Sequence, residues 1–306
     1  MPAVSLNCSY RLITVAWLLV MVFMLSPATG IARPVLTIGV SILPQKYFVE
    51  RIAGDKASVI VLVGPGHNPA TYEPKPRQLA QLEQAALYFQ IGVPFEARWI
   101  ETFRQINPNL ILIPLPPSIP LRPMSREVDT VADNTAHAHG HSHSSLQDPH
   151  VWLNPRLVKH IAESIKTAFV TIDSENREHY ENRYQSFIGE LDEVDHAIRQ
   201  QLAGIKNRKF MVYHPSWGYF ADEYGLQQIP IEVEGKQPGA KSLSRLIEQA
   251  QQNRVKVIFV QQQFSDRDAK TVADQVGAKL LVVDPLAENY LENLRRVSRQ
   301  FADALQ

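Results

Sequence analysis

Four segments of the 306-residue chain each place one metal-capable residue at an expected strand-to-loop junction. His67 lies in VLVGPGHNPATYEPKP, His150 in DPHVWLNP, His214 in FMVYHPSWGYF and Asp284 in LVVDPLAENY. Three imidazoles and a carboxylate form the ligand set of a closed, four-coordinate zinc site. Shortly before His150, in AHAHGHSH, His137, His139, His141 and His143 alternate with alanine, glycine and serine. The chemistry open to such a run near neutral pH is binding a borderline or soft divalent metal. It reads as a secondary, metal-gathering loop, with a weak second site or a functionless tract as the other readings. Each main residue also has a plainer reading: an isolated histidine is commonly structural, and Asp284 before Pro285 can open a turn. His160, His179 and His196 fall on helical stretches among polar neighbours and read as solvated.

The elements that must position these groups alternate between strand-like and helix-like. Residues 35–42, 58–63, 86–91 and 110–115 are short apolar runs, as buried parallel strands require. Helical spacing fills 45–53, 77–85 and 95–106 between them, and a further helix begins near Pro155. A second set of strands is expected at 209–213, 226–232, 255–261 and 280–283, with helices at 243–253, 268–276 and 288–305. Two α/β lobes with parallel sheets follow. In such lobes ligands gather beyond the carboxyl ends of the strands, where His67, His214 and Asp284 each follow a different strand.

One long helix is expected between the lobes, capped by Ser174 with Glu175 in its first turn. Tyr180, Tyr184, Phe187, Ile188, Leu191, Val194, Ile198 and Leu202 recur at spacings of three and four, one apolar stripe. At about 1.5 Å per residue, some 30 residues would span about 45 Å and join the lobes as a rigid strut. The expected organisation is a signal peptide at 1–32 and an N-terminal lobe at 33–173. The linking helix is expected at 174–204 and the C-terminal lobe at 205–306. The N-terminal lobe carries a proline-rich, histidine-bearing loop over about 116–147.

Composition narrows the function classes. Arg11, an apolar run over 12–25 and small residues up to Ala32 read as a cleavable secretory signal, too short for a comfortable membrane span. Cys8, the single cysteine, precedes that run, so lipid anchoring at a cysteine after it is not expected, and the mature chain has no thiol ligand. Without Arg11 the charge is nearly balanced, which gives no basic patch for nucleic acid. A soluble periplasmic monomer is the expectation.

The motifs DPHVWLNP, YHPSWGYFADEYGL, TYEPKP and DPLAENY together resemble those of the metal-specific solute-binding proteins of ABC transporters, the cluster A-I type, particularly its zinc-binding branch. The resemblance covers nearly the whole chain after the signal. It implies two α/β lobes bridged by a long helix and one divalent ion, Zn2+, carried in the cleft. It also implies delivery to a membrane permease driven by a cytoplasmic ATPase, with His150, His214 and Asp284 at ligand positions. The manganese branch tends to carry a carboxylate where this chain has His214, so the imidazole favours zinc, as ligand softness also does. The family commonly reads P-H-T-Y-E-P at its first ligand, whereas this chain has Ala70 within Pro69-Ala70-Thr71-Tyr72-Glu73-Pro74. His67, three residues earlier, is the expected substitute.

Tyr72, Trp152, Trp217 and Tyr219 are expected to pack the cleft walls, and Glu232 or Glu234 to support a ligating imidazole. The expected function is a periplasmic zinc carrier, not an enzyme. The alternatives are a manganese or iron carrier of the same type and, from another class, a secreted zinc hydrolase. Against the hydrolase, the sequence contains neither HExxH nor GxSxG, and Asp284 would close the open coordination position.

Overall fold

The computed structural model describes residues 35–124, 147–232 and 237–306. The signal segment, the histidine run and Glu234 lie outside the described residues. Two four-stranded parallel sheets form, and both have the same winding. In the first, β1 (Leu36–Ile42), β2 (Ala57–Val63), β3 (Leu87–Phe89) and β4 (Ile111–Ile113) lie in the order β2-β1-β3-β4. In the second, β5 (Lys209–Val212), β6 (Gln227–Pro230), β7 (Val257–Val260) and β8 (Lys279–Val282) lie in the order β6-β5-β7-β8. Every strand falls inside or within a residue of its expected run. The apolar sequences bury Ile38, Val40, Leu62 and Leu87 in one sheet, and Phe210, Val212 and Phe259 in the other.

Prolines set where four helices of the first half begin. Pro44, Pro76, Pro94 and Pro155 occupy the first turns of α1 (Leu43–Ala53), α2 (Pro76–Leu82), α3 (Pro94–Ile106) and α4 (Pro155–Ile172). At that position the missing N–H costs nothing and the fixed φ suits a helix. Asn154 completes the start of α4, its side-chain oxygen accepting from Arg156 N at 2.9 Å and Leu157 N at 3.4 Å. The LNP of the DPHVWLNP segment is thus the device that starts a helix immediately after His150.

The long helix is α5, Arg177–Leu202, 26 residues or about 39 Å. It packs against α1 and α4 on one side and α9 (Tyr290–Ala304) on the other. Tyr180, Phe187, Leu191, Val194, Ile198 and Leu202 are buried along its stripe. The start differs from expectation: Ser174 opens a separate 3-10 turn, Ser174–Asn176, and caps nothing. Asp173 takes the ordering role there, accepting from Tyr180 Oη at 2.6 Å and Asn176 Nδ2 at 2.7 Å. The remaining helices are α6 (Gly218–Tyr224), α7 (Ala240–Gln252) and α8 (Arg267–Val276). One hydrophobic core runs from the first sheet through α5 to Phe301, and a smaller one sits under α7 and α8. A core shared across both sheets resists relative movement of the lobes.

Candidate metal centre

His150 and His214 face each other across a cavity of about 60 Å³, with ring centroids 5.2 Å apart and planes at 71°. The lining comes almost entirely from loops at the carboxyl ends of strands. Asn68, Pro69 and Ala70 follow β2, Val93 and Pro94 follow β3, Gln263 and Phe264 follow β7, and Pro285 and Leu286 follow β8. Met124, Pro149 and Trp152 complete it beside the two histidines.

Each imidazole is backed by a carboxylate. His150 Nδ1 donates to Asp148 Oδ1 at 2.7 Å, and His150 N donates to the same oxygen at 3.0 Å. His214 Nδ1 donates to Glu232 Oε2 at 2.9 Å. Asp148 and Glu232 are themselves buried. A carboxylate on Nδ1 fixes the tautomer and leaves the Nε2 lone pair as the nitrogen for an ion. With a zinc–nitrogen distance of about 2.1 Å, tetrahedral coordination sets two imidazole centroids roughly 5 Å apart, the separation found here. Burial lowers the pKa of His214 more strongly than Glu232 raises it, so the ring stays neutral, as coordination requires.

Local folding explains the rigidity of this half. Gln261 clamps the His214 backbone, its Oε1 accepting from His214 N at 3.2 Å and its Nε2 donating to His214 O at 2.7 Å. Phe264 stacks on the His214 ring at 4.4 Å and 21°. Asp148 is held from its other oxygen by Arg122 Nη1 at 3.4 Å, and its carbonyl accepts from Tyr219 Oη at 3.1 Å. Arg122 lies so close over Gly218 that a Cβ there would come within 1.5 Å of the guanidinium, so a side chain at this position would displace Arg122 from Asp148. Trp152 Nε1 donates to Pro285 O and Tyr290 Oη donates to Trp152 O, both at 2.7 Å, tying the His150 turn to the Asp284 loop.

The other two expected donors stand apart. Asp284 lines a neighbouring polar groove of about 400 Å³, and its Oδ1 accepts from Gln263 Nε2 at 3.1 Å and Leu286 N at 2.9 Å. His67 is exposed, with Nδ1 3.0 Å from Pro65 O and its ring edge-on to Tyr72. No group of three or more histidine, aspartate or glutamate side chains is gathered for a metal among the described residues. The cause of the His67 placement is local. Gly66 takes φ 74°, and Asn68 Oδ1 accepts from Ala70 N at 2.8 Å, a turn that aims Asn68, Pro69 and Ala70 inward. Ala70, not His67, therefore reaches the cavity.

Of the aromatic residues, Trp152 lines the cavity, Tyr219 supports Asp148, Tyr72 backs His67 and Trp217 is fully buried in the core. His160 and His196 are exposed. His179 is half-buried and hydrogen-bonds the Ala53 carbonyl, a structural histidine in place of the solvated one expected. Asp148, Gln261, Gln263 and Phe264 were not singled out from sequence. The signals available were a carboxylate two residues before His150 and a run of glutamines directly after an apolar strand.

Residues 38–304 match the family described as ZnuA, zinc-uptake complex component A, periplasmic. The chain belongs to this family. Among its relatives is the high-affinity zinc uptake system protein ZnuA of Bacillus subtilis (strain 168), 30% identical over 247 residues, covering 79% of this chain and 76% of that protein. The zinc-binding lipoprotein AdcA of Streptococcus pneumoniae (strain ATCC BAA-255 / R6) is 27% identical over 268 residues, and this chain matches 50% of its length. A crystal structure of ZnuA superposes with a TM-score of 0.81 at 39% identity, covering 89% of this chain and 100% of that one. A ZnuA deletion mutant with zinc bound superposes at 0.80, again at 39% identity, covering 89% of this chain and 99% of that one. The family is that of a transporter's solute-binding component, in keeping with the two-lobed fold.

Proposed function

We propose that this chain captures zinc in the periplasm and hands it to the permease of an ABC importer driven by a cytoplasmic ATPase. The observation that carries the reading is the pair of carboxylate-backed imidazoles, His150 and His214, set at tetrahedral spacing across one small cavity. Asp284 is the carboxylate that completes the shell from the adjoining groove. His67 is the third imidazole, brought in when the loop between β2 and α2 moves and its bond to Pro65 O breaks. The family's zinc-uptake description and its relatives named for zinc support the choice of cargo. The segment at 1–32 acts as the export signal, and His137, His139, His141 and His143 gather metal near the cleft.

The test is a competitive titration with zinc and manganese, using the full chain with His137, His139, His141 and His143 each changed to serine. One tight zinc per chain, with manganese failing to compete, is the expected result. Manganese competing on equal terms would replace the zinc reading by a manganese carrier. Absence of any tight metal would remove the carrier reading altogether.

A further inference from the structure

Resting on that reading, we infer that Gln263 is a specificity-determining residue: its amide holds Asp284 at the rim of the cavity and withholds a carboxylate oxygen from the incoming ion. Gln263 and Leu286 line both spaces, the small cavity between His150 and His214 and the groove beside it, and of the two only Gln263 has a polar side chain. Asp284 lines only the groove. The bridge between them is the hydrogen bond from Gln263 Nε2 to Asp284 Oδ1 at 3.1 Å. The amide orientation is fixed by chemistry, since turning it over would set its oxygen against a carboxylate. The same orientation leaves Gln263 Oε1 buried with no hydrogen-bond partner among the described residues. A buried amide oxygen left without a partner is costly, so the bond to Asp284 must hold Gln263 in place against that cost.

Asp284 is otherwise well placed to move. Leu286 N at 2.9 Å shares the same oxygen, a turn within the loop itself. Trp152 and Asn293 fix that loop through backbone carbonyls, at Pro285 O and Asp284 O respectively, and leave the carboxylate side chain to Gln263 and the turn. An ion that takes Asp284 through Oδ1 must therefore break the Gln263 bond, and the cost falls unequally. Zinc gains a large share of its binding from the two imidazoles, whereas manganese favours oxygen donors and more of them. Holding the carboxylate back thus penalises manganese more than zinc.

The experiment is a double-substitution cycle read as zinc and manganese affinities, with thermal melting as a folding control. Gln263→Leu removes the donor, and Gln263→Met does so with an unbranched chain should leucine disturb packing. The unaltered chain is measured first; if it binds no zinc, the function reading falls and this inference with it. Given zinc binding, Gln263→Leu is expected to raise manganese affinity about tenfold, the scale of one charge-assisted hydrogen bond, and zinc affinity by less. In an Asp284→Ala background the same substitution should change neither ion. Equal changes for both ions, no change, or an effect that survives Asp284→Ala would each overturn the inference while leaving the carrier reading intact.

Discussion

The four expected donors fall into two unlike pairs. On one side stand His150 and His214, each with Nδ1 on a buried carboxylate and each backbone fixed by a second contact. On the other stand Asp284, engaged by Gln263, and His67, exposed and bonded to the Pro65 carbonyl. The first half needs no rearrangement to meet an ion, so its contribution to binding is undiminished by reorganisation. The second half must break existing hydrogen bonds first. A site with a fixed half and a recruited half can capture an ion on the fixed imidazoles and close around it with the others, and it can reverse that order to release it.

The difference is measurable as a ranking of substitutions. Removing either fixed imidazole, by His150→Ala or His214→Ala, should lower zinc affinity by more than about a hundredfold, since loss of a supporting residue alone costs 10–100-fold. Losing the supports, by Asp148→Asn or Glu232→Gln, should fall within that 10–100-fold range in the same competition titration. His67→Ala should cost about tenfold, because the ion no longer has to break the Pro65 bond and move the loop to gain that ligand. Losses from His67→Ala as large as those from His150→Ala would erase the distinction between the halves.

Acidity sharpens the comparison from another side. Burial depresses the pKa of His214 below the ordinary histidine value near 6.5. A histidine with a lowered folded pKa destabilises the folded state as pH falls below its unfolded value, because the unfolded chain binds the proton first. The His214 imidazole should therefore stay neutral down to pH values below the usual histidine range, followed by NMR of that ring at stepped pH. A midpoint at or above 6.5 would contradict the desolvated, neutral His214. A smaller effect is expected away from the cavity, at Glu96. Burial, partly offset by bonds from Ser41 Oγ, Ile91 N and Gly92 N, raises its pKa to about 7. A raised carboxyl pKa means a contribution to stability complete below the ordinary carboxyl range and lost as pH rises through about 7. Glu96→Gln should flatten that slope in denaturation curves between pH 4.5 and 7, leaving zinc affinity unchanged.

The same division marks what the sequence disclosed. Elements built from continuous apolar runs or a three-four stripe were legible, because burial of Val40, Phe259 or Leu191 leaves a periodic trace. His150 and His214 were legible because each lies at the start of a loop fixed by its neighbours, Asn154-Pro155 in one case and β5 in the other. His67 was not, since its direction depends on the left-handed Gly66 and the Asn68 turn, neither of which leaves a periodic mark. Gln263 escaped notice for a different reason: its partner Asp284 is 21 residues away on the loop after another strand, a pairing only the sheet order β5-β7-β8 creates. Ser174 shows the limit of cap signals, for a good capping residue was used in a preceding turn.

The most direct measurement is a zinc-edge anomalous difference map of the zinc-loaded protein. The expected result is one strong peak between His150 and His214, about 2.1 Å from each Nε2. Zinc found elsewhere, with that cavity empty and both rings still held by Asp148 and Glu232, would contradict the account.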